Sequence, residues 1–228
     1  MLTGFVVIGM RFEDEHGNVI DHTNCEVTEQ YLVDVFIEEN DVVLELGARY
    51  GTVSCGINKK LKHKHHQVVV EPDKTVWSAL EKNRSINACD FYIVKGFLSN
   101  MKLDLTDAGY GSSFIHNESS DIPSFTFDDI RAATGIGKHN FSVLVADCEG
   151  FLETFFDEHP DFYNNLRLFI FEADYADKCD YNKIRNRLAE MQFINVMIGH
   201  QNVWLRLCQE NIGILNKLQT REIVLKES

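Results

Sequence analysis

The segment Asp41-Val-Val-Leu-Glu-Leu-Gly-Ala-Arg-Tyr-Gly-Thr-Val-Ser54 constrains the fold of this chain most strongly. Its apolar run, 42–46, predicts a buried strand, and a helix is predicted from about Thr52 to Leu61. Between them lies a turn with glycines at 47 and 51, and glycine lacks the Cβ that would keep a nucleotide-like ligand away from the backbone. The spacing Glu-x-Gly-x-x-x-Gly differs from the Gly-x-Gly-x-x-Gly of dinucleotide-binding proteins. The strand carries a carboxylate, Glu45, which would repel phosphate and favours a cationic ligand.

The same segment resembles the first motif of class I S-adenosylmethionine-dependent methyltransferases. That cofactor carries an ammonium and a sulfonium and no phosphate, which suits an acidic, glycine-rich turn. The resemblance implies that five residues of this segment contact the cofactor: Glu45, Gly47, Ala48, Tyr50 and Gly51.

A second acid lies downstream of the glycine turn, at the end of the next predicted strand. The β-branched run Gln67-Val-Val-Val-Glu71 ends in a carboxylate 24 residues after Gly47 and continues as Pro72-Asp73. Nucleotide-binding α/β proteins place an acid about 20 residues after the glycine turn to accept the ribose hydroxyls. We therefore predict that Glu71 and Pro72 belong to the cofactor site, the alternative being a solvated acid at a strand end. Phe97, just past the third strand, is predicted to stack on adenine or to belong to the core.

Hydrophobic periodicity predicts alternating strands and helices. A short hairpin over residues 1–25 and a helix over 28–39, capped by Thr28, precede the alternation. The predicted strands are 41–46, 67–71, 91–94, 141–146, 168–171, 193–198 and 203–207, and the predicted helices are 52–61, 75–88, 127–134, 151–157 and 181–191. Continuous apolar strands of this kind indicate a parallel sheet covered on both faces.

The last two predicted strands are separated by only four residues, so they must pair antiparallel. The expected fold is therefore α/β: a doubly wound, mostly parallel seven-stranded sheet ending in an antiparallel hairpin, as is typical of the Rossmann-like class I methyltransferase fold. We expect a single methyltransferase domain over 1–228, with an N-terminal hairpin and helix (1–40), a cofactor-binding core (41–207) and a C-terminal tail (208–228).

Acids recur at the predicted strand ends. Asp147 and Glu149 follow the fourth strand, and Glu172 and Asp174 end the fifth. Because ligands bind at the carboxyl ends of the strands in open α/β sheets, these acids should share one rim with Glu45 and Glu71. Six carboxylates in one place repel one another unless a cation or raised pKa values relieve the repulsion. A positively charged cofactor would relieve part of it, and a divalent metal on oxygen ligands the rest.

Two later segments make the resemblance more specific. Ser124-Phe-Thr-Phe-Asp-Asp-Ile130 and Phe141-Ser-Val-Leu-Val-Ala-Asp-Cys-Glu-Gly-Phe-Leu-Glu153 are similar to motifs of the FkbM family of methyltransferases, and the match spans roughly residues 41–207 with four motifs in order. The chain departs from the family at five positions: Glu45 for the usual Asp, Arg49 and Tyr50 for an Asn and an aliphatic residue, Val145 for a Lys and Ala146 for an Ile. Tyr50 would reshape the methionine end of the site, and the missing lysine leaves the acids less compensated.

The resemblance implies methyl transfer from S-adenosylmethionine to an oxygen, with a hydroxyl of a sugar, glycan or other small molecule as the first choice. A hydroxyl is a poor nucleophile at neutral pH and needs a base or a metal. We predict Asp147 and Glu149 as the catalytic pair, and Asp147, Glu172 and Asp174 as ligands of a divalent metal such as Mg²⁺. The alternatives are a cofactor-positioning Asp147, a helix-capping Glu149 and solvated acids at 172 and 174. Histidines 116 and 139 are further base candidates, although surface histidines are commoner.

The polar stretch Ser99–Ser124 has 26 residues without clear periodicity. Loops of this length in compact domains are usually functional or disordered. We expect it to cover the acceptor site, with Tyr110, Phe114 and His116 available to line it.

Charge and composition limit the partners. The formal net charge is -13, which disfavours nucleic acid and anionic membranes and favours a neutral or cationic acceptor. Six scattered cysteines and no apolar stretch near the length of a membrane span predict a reduced, cytoplasmic protein. The basic segment Lys59–His66 is predicted to be a solvated turn rather than the metal site that its three histidines also suggest.

Other functions stay open at this stage. They are methyl transfer to protein or RNA, a nucleotide-binding module without catalysis, and a nicotinamide-dependent oxidoreductase, which Glu45 disfavours. Association as a homodimer is also left open.

Overall fold

The computed structural model describes residues 9–107 and 112–220. The strands are β1 (Phe12–Glu13), β2 (Val19–Ile20), β3 (Val43–Leu46), β4 (Gln67–Glu71), β5 (Tyr92–Lys95), β6 (Phe97–Leu98), β7 (Leu103–Leu105), β8 (Phe114–His116), β9 (Ser124–Phe125), β10 (Val143–Ala146), β11 (Leu168–Glu172), β12 (Phe193–Met197) and β13 (Gln201–Arg206). The α-helices are α1 (Val27–Phe36), α2 (Thr52–Lys60), α3 (Trp77–Ile86), α4 (Phe127–Thr134), α5 (Leu152–Glu158), α6 (Tyr181–Glu190) and α7 (Ile212–Gln219). Short 3-10 helices lie at Lys138–Asn140, Phe162–Asn165 and Gln209–Asn211.

Seven of these strands form the central sheet, in the order β12-β13-β11-β10-β3-β4-β5. The five strands from β11 to β5 are parallel, and β13 runs antiparallel to both β11 and β12. The sheet is therefore mostly parallel and ends in an antiparallel hairpin. The expected class I methyltransferase fold is confirmed.

Both faces of the sheet are covered, which explains why its strands are apolar throughout. Alternate residues of a strand point to opposite faces, so Leu44 and Leu46 join a phenylalanine-rich core with α4, α5 and α6, whereas Val43 packs on the other face with α1 and α2. The expected N-terminal hairpin is present where it is described, as β1 and β2 joined by a turn in which Gly17 has φ 82°. Residues 1–8 lie outside the described part of the chain.

The structure differs from expectation at the start of α1 and in the C-terminal segment. Helix α1 begins after Glu26, whose backbone is left-handed (φ 51°), and not after Thr28, so the predicted capping by Thr28 was wrong. The segment expected as a tail contains α7, because Ile214, Leu215 and Leu218 fall on one helical face and pack against the same core as α1.

The long polar stretch is also structured. Strands β7 and β8 form an antiparallel hairpin, and β9 pairs in parallel with β6. These short strands carry too few apolar residues to show a period in the sequence. Residues 108–111, with Tyr110 among them, are outside the described residues, so its predicted role stays a prediction. In the part of the chain that is described, no helix has both the length and the apolar character to cross a membrane.

Candidate functional site

The register of the central strands brings three predicted site residues together. Leu46 of β3 lies opposite Ala146 of β10 on one side and Val70 of β4 on the other. The residues that follow these strand positions therefore meet at one edge of the sheet. The amide of Gly47 donates to the carbonyl of Val70 at 3.0 Å, and the amide of Asp147 donates to the carbonyl of Leu46 at 2.9 Å.

Glycine is required at position 47. Its φ is 84°, and a Cβ placed there would come within 1.6 Å of the backbone carbonyl oxygen of Asp147. Gly51 has φ 79° and caps α2, and a Cβ there would meet the Leu80 side chain at 2.7 Å. The Asp147 carbonyl is part of the backbone and cannot move aside as a side chain can. The close approach of the two strand ends therefore depends on Gly47.

This edge opens into a cavity of about 820 Å³. Six residues predicted as cofactor-binding or catalytic line it: Gly47, Glu71, Pro72, Phe97, Asp147 and Glu149. Phe97 is only 4% exposed and its ring lies 5.9 Å from that of Phe151, so it belongs both to the core and to the cavity wall. Arg49, which sequence reasoning did not assign to the site, also lines the cavity.

Glu71 holds the glycine turn in place. Its Oε2 accepts the amides of Ala48 at 3.1 Å and Arg49 at 2.7 Å, and its Oε1 accepts the amide of Asp73 at 2.7 Å. Burial raises the pKa of Glu71, and the three amide hydrogen bonds act in the opposite direction. The three amides use three of the roughly four acceptor positions of a carboxylate, both of those on Oε2 and one on Oε1, so Oε1 retains capacity for one ligand hydroxyl.

Glu45 occupies a different place. Its carboxyl accepts hydrogen bonds from Ser54 Oγ at 2.8 Å and Gln67 Nε2 at 3.0 Å, and burial raises its pKa to about 8. It is therefore mostly protonated at neutral pH. With Ala48 it lines a smaller adjoining cavity of about 380 Å³.

Tyr50 faces away from the larger cavity. It is not among the described residues that line it, and its hydroxyl donates to Glu15 Oε2 at 2.5 Å, in the turn between β1 and β2. The Arg49 guanidinium lies 4.8 Å from the centre of the Tyr50 ring. Tyr50 thus connects the N-terminal hairpin to the glycine turn, and the structure shows no contact of its ring with the cavity.

Glu26 is a site residue that the sequence did not reveal. It lines both cavities, and its carboxylate accepts a hydrogen bond from Thr52 Oγ1 at the start of α2. Burial raises the pKa of Glu26, and the nearby acids Glu29 and Glu71 raise it further. An acid before an amphipathic helix is a weak signal, and nothing in the sequence says that it reaches Thr52.

The acids after β10 and β11 do gather as predicted. Asp147, Glu149 and Asp174 each offer a ligand atom within 4.8 Å of the others, which is the geometry of a candidate cation site. The set differs from the predicted metal ligands, since Glu149 stands where Glu172 was expected. Glu172 instead interacts with Asp147 and lies with Oε1 2.6 Å from His200 Nε2.

The carboxyls of Asp147 and Glu172 bind protons more tightly than ordinary carboxyls do. Burial and the charge of Glu172 raise the pKa of Asp147 well above its usual range, and burial raises the pKa of Glu172 to about 7. A proton taken up by either acid of this pair reduces the repulsion that the sequence implied. Glu149 and Gly150 both have positive φ, 53° and 84°, and a Cβ on Gly150 would lie 3.1 Å from Lys178 Cβ, so the loop after β11 packs tightly on this turn.

The β7–β8 hairpin covers part of the cavity. Leu105, Ser112 and Phe114 line it, and the Phe114 ring meets Phe151 edge to face at 5.2 Å. The two histidines suggested as bases are elsewhere: His116 is 56% exposed and pairs with Glu118, and His139 contacts Asn165. The expected cover is confirmed for Phe114, and the histidines do not line the cavity.

Comparisons with known proteins do not assign the chain to a family. No family model matches the chain, and no curated protein matches its sequence. Among solved structures, the chain is similar to an O-methyltransferase from Bacillus cereus in complex with SAH, at 11% identity over 78% of this chain and 79% of that one, with a TM-score of 0.47. It is also similar to a ribosomal protein L11 methylase from Lactobacillus delbrueckii subsp. bulgaricus, at 17% identity over 77% and 74% of the two chains, with a TM-score of 0.45. Neither similarity identifies a reaction or a substrate for this chain.

Proposed function

We propose that this protein is an S-adenosylmethionine-dependent methyltransferase that transfers the methyl group to a hydroxyl of a sugar, glycan or other small molecule. One observation carries the proposal: Gly47, the Glu71 carboxylate and the two acids Asp147 and Glu149 line one cavity at the carboxyl ends of adjacent parallel strands. Ligands of open α/β sheets bind at that edge.

The residues present fit the cofactor. A Cβ at Gly47 would collide with the backbone carbonyl of Asp147, so the glycine lets the ends of β3 and β10 approach closely and brings the glycine turn and the acids to one wall of the cavity. Glu71 is fixed by three amides and has acceptor capacity left on Oε1 for one ribose hydroxyl. Phe97, Leu98 and Pro72 supply an apolar wall for an adenine ring.

Glu26 suits the amino-acid end of the cofactor. Glu26 lines both cavities, as do Gly47 and Asp147, and burial raises the pKa values of both the Glu26 and the Asp147 carboxyl. An ammonium bound there would relieve that cost, and a hydrogen bond to a charged group is worth about 1.5–3 kcal/mol. In this proposal Glu26 takes the cation-binding role first expected of Glu45.

The bound cofactor supplies an activated methyl group whose leaving group is a neutral sulfide. The protein's part is to align the acceptor and to accept its proton while the new C–O bond forms and the C–S bond breaks. Asp147 suits the proton transfer because burial raises its pKa well above the usual range of a carboxyl, which makes its carboxylate a stronger base. Glu149, on the same wall, would hold the acceptor hydroxyl.

The cavity wall supports a small acceptor. Phe114 and Leu105 of the β7–β8 hairpin add apolar surface to the cavity that the acids also line, and Ser112 adds a hydroxyl. One flat apolar side facing polar groups suits a sugar ring or a similar small alcohol. The net charge of -13 weighs against RNA.

A divalent metal is the alternative way to activate the hydroxyl, and with it bound the acids would act as ligands instead of as base and acceptor contact. A hard divalent cation such as Mg²⁺ takes carboxylate oxygens, and Asp147, Glu149 and Asp174 would hold it. Its contribution would be to lower the pKa of the acceptor hydroxyl.

The test is transfer of a labelled methyl group to a panel of sugars and small alcohols, with and without EDTA and added Mg²⁺. We expect turnover on at least one hydroxyl, and loss of turnover by a factor of about 10²–10⁴ in Asp147→Asn, the usual contribution of a general base. The control Asp157→Asn removes a carboxyl that is 61% exposed on α5 and should be silent. Unchanged turnover in Asp147→Asn would remove it from the chemistry, and absence of methyl transfer to any hydroxyl would remove the proposed acceptor class.

A further inference from the structure

Three histidine rings cluster far along the chain from the acids just described. They lie in the loop between α2 and β4, at the amino end of β4 and so at the opposite edge of the sheet from the cavity. The ring centres of His65 and His66 are 4.7 Å apart, those of His63 and His66 4.9 Å, and those of His63 and His65 5.9 Å. The sequence placed the three residues near one another, but it did not show that their rings pack together.

The middle ring of this cluster has an unused nitrogen. His66 Nδ1 is shielded from solvent and has no hydrogen-bond partner among the described residues. A buried imidazole nitrogen without a partner is costly.

The loop itself is fixed. Lys64 Nζ donates to the carbonyls of Asn58 at 2.7 Å and Lys59 at 2.8 Å, and Asn58 Nδ2 donates back to the carbonyl of Lys64 at 2.7 Å. The amide of His66 donates to the carbonyl of His63 at 2.9 Å. These hydrogen bonds hold the Lys64 ammonium at the C-terminal end of α2, so it is not free in solvent.

Charge near the loop does not forbid a cation. The loop follows the C-terminus of α2, where the aligned peptide dipoles present partial negative charge. Lys60 is paired with Asp34 at 3.3 Å, and Lys64 is bound to helix carbonyls.

We propose that His63, His65 and His66 form a binding site for a borderline transition-metal ion such as Zn²⁺. With Zn–N bonds of about 2.0–2.1 Å and tetrahedral angles, the ring centres of two histidine ligands lie about 5 Å apart, close to the separations seen here. Water completes the coordination, and imidazole ligands select Zn²⁺, Co²⁺, Ni²⁺ or Cu²⁺ over Mg²⁺.

Binding requires a small rearrangement. Among the described residues, the group whose ligand atoms already converge within 4.8 Å is the acid set at 147, 149 and 174. The rings of His63 and His65 are exposed, so rotation about their side-chain bonds can turn a nitrogen from each toward His66. The site does not depend on the proposed methyl transfer.

The test is titration of ZnCl₂ into the untagged protein by calorimetry at pH 7.5, with Co²⁺ absorption as a report on coordination. We expect a tight equivalent of Zn²⁺ that is lost in His63→Gln/His65→Gln/His66→Gln and lost in wild type at pH 5.5, because protonated imidazole cannot bind a metal. The matched control His16→Gln/His116→Gln/His139→Gln removes three exposed histidines and should keep that equivalent. Circular dichroism verifies that both variants fold.

Three outcomes would overturn the site. They are no Zn²⁺ binding by the wild type, unchanged binding by the variant lacking histidines 63, 65 and 66, and loss of the same equivalent in Asp147→Asn, which would assign it to the acids.

Discussion

The Cα of Gly47 lies against the backbone carbonyl of Asp147, so closely that a methyl group on Gly47 would come within 1.6 Å of the carbonyl oxygen. Two residues 100 positions apart in the sequence are thus held together by the pairing of β3 with β10. The contact joins the glycine turn to the acids, and the proposed cofactor and acceptor ends of the site therefore share one wall.

Gly47→Ala should destroy this contact. The new Cβ meets backbone rather than a movable side chain, and the φ of 84° is unfavourable for alanine. We expect loss of cofactor binding together with destabilisation of more than about 2 kcal/mol, because β3 and β10 must separate at their ends. Isothermal calorimetry with S-adenosylhomocysteine and urea denaturation measure the two effects.

A matched control for that change lies in α7. Gly213 is helical, and a Cβ there meets nothing within 4 Å. Gly213→Ala should keep binding and stabilise the protein by about 0.5–1 kcal/mol, since alanine is the better helix former. If Gly47→Ala were as harmless as Gly213→Ala, the close approach of the strands would not matter.

Glu26→Gln should weaken the cofactor only at its amino-acid end. Glutamine keeps an oxygen for the Thr52 hydroxyl but loses the charge that we assign to the ammonium. We expect about 10–100-fold weaker binding of S-adenosylhomocysteine at pH 8, equivalent to about 1.5–3 kcal/mol. Methylthioadenosine, which lacks the amino acid, should bind the variant and the wild type equally.

The two ligands separate the possible failures. Equal weakening of both would mean that Glu26 acts through the fold, and no effect on either would place the ammonium elsewhere. If the wild type bound neither ligand, the proposed cofactor itself would be wrong.

Glu172→Gln should move the pH dependence of turnover. After burial, the charge of Glu172 is the strongest of the effects that raise the pKa of Asp147. In the wild type, activity should rise as Asp147 loses its proton, at a pH above the usual range of a carboxyl because burial and the Glu172 charge raise the pKa of Asp147. The variant lacks that charge, so the rise should occur at lower pH, and a profile of kcat against pH between 5 and 9 measures the shift. An unchanged profile would uncouple Asp147 from the reaction.

Glu45→Gln should remove a pH dependence of stability. The pKa of Glu45 is about 8 in the folded protein, above its ordinary 4.5, so the folded state binds the proton more tightly than the unfolded state. The stability that this proton provides is complete below about pH 4.5 and is lost as the pH rises through 8. The amide mimics the protonated acid, and the variant should gain on the order of 1–4 kcal/mol relative to wild type between pH 5.5 and 8.5. Urea denaturation at the two pH values checks this, and a constant difference would contradict the burial of an uncharged carboxyl.

The sheet could be predicted from sequence because its strands are continuous apolar runs bounded by glycine, proline and acids. The predicted strand 67–71 and helix 127–134 have the bounds that the structure gives them. Because these strands pair in parallel, their carboxyl ends lie at the same edge of the sheet. Gly47, Glu71 and Asp147 were therefore identified correctly as neighbours.

The predictions that failed concerned the direction of side chains and contacts between residues far apart in the sequence. Glu45 was treated as a strand tip, but alternation within β3 puts it on the face opposite Leu44 and Leu46, toward α2. The contact of Glu26 with Thr52 depends on how α1 packs, and no local pattern encodes that. The same limit applies to Tyr50, which turns toward Glu15, and to the three packed rings of the α2–β4 loop.

The most direct measurement is a calorimetric titration of S-adenosylhomocysteine into the wild-type protein, with NAD in a parallel experiment. The account predicts saturable binding of the first ligand at one site, reduced in Glu26→Gln and Glu71→Gln, and no binding of NAD. Saturable binding of NAD, or no heat with S-adenosylhomocysteine from a protein shown to be folded, would contradict it.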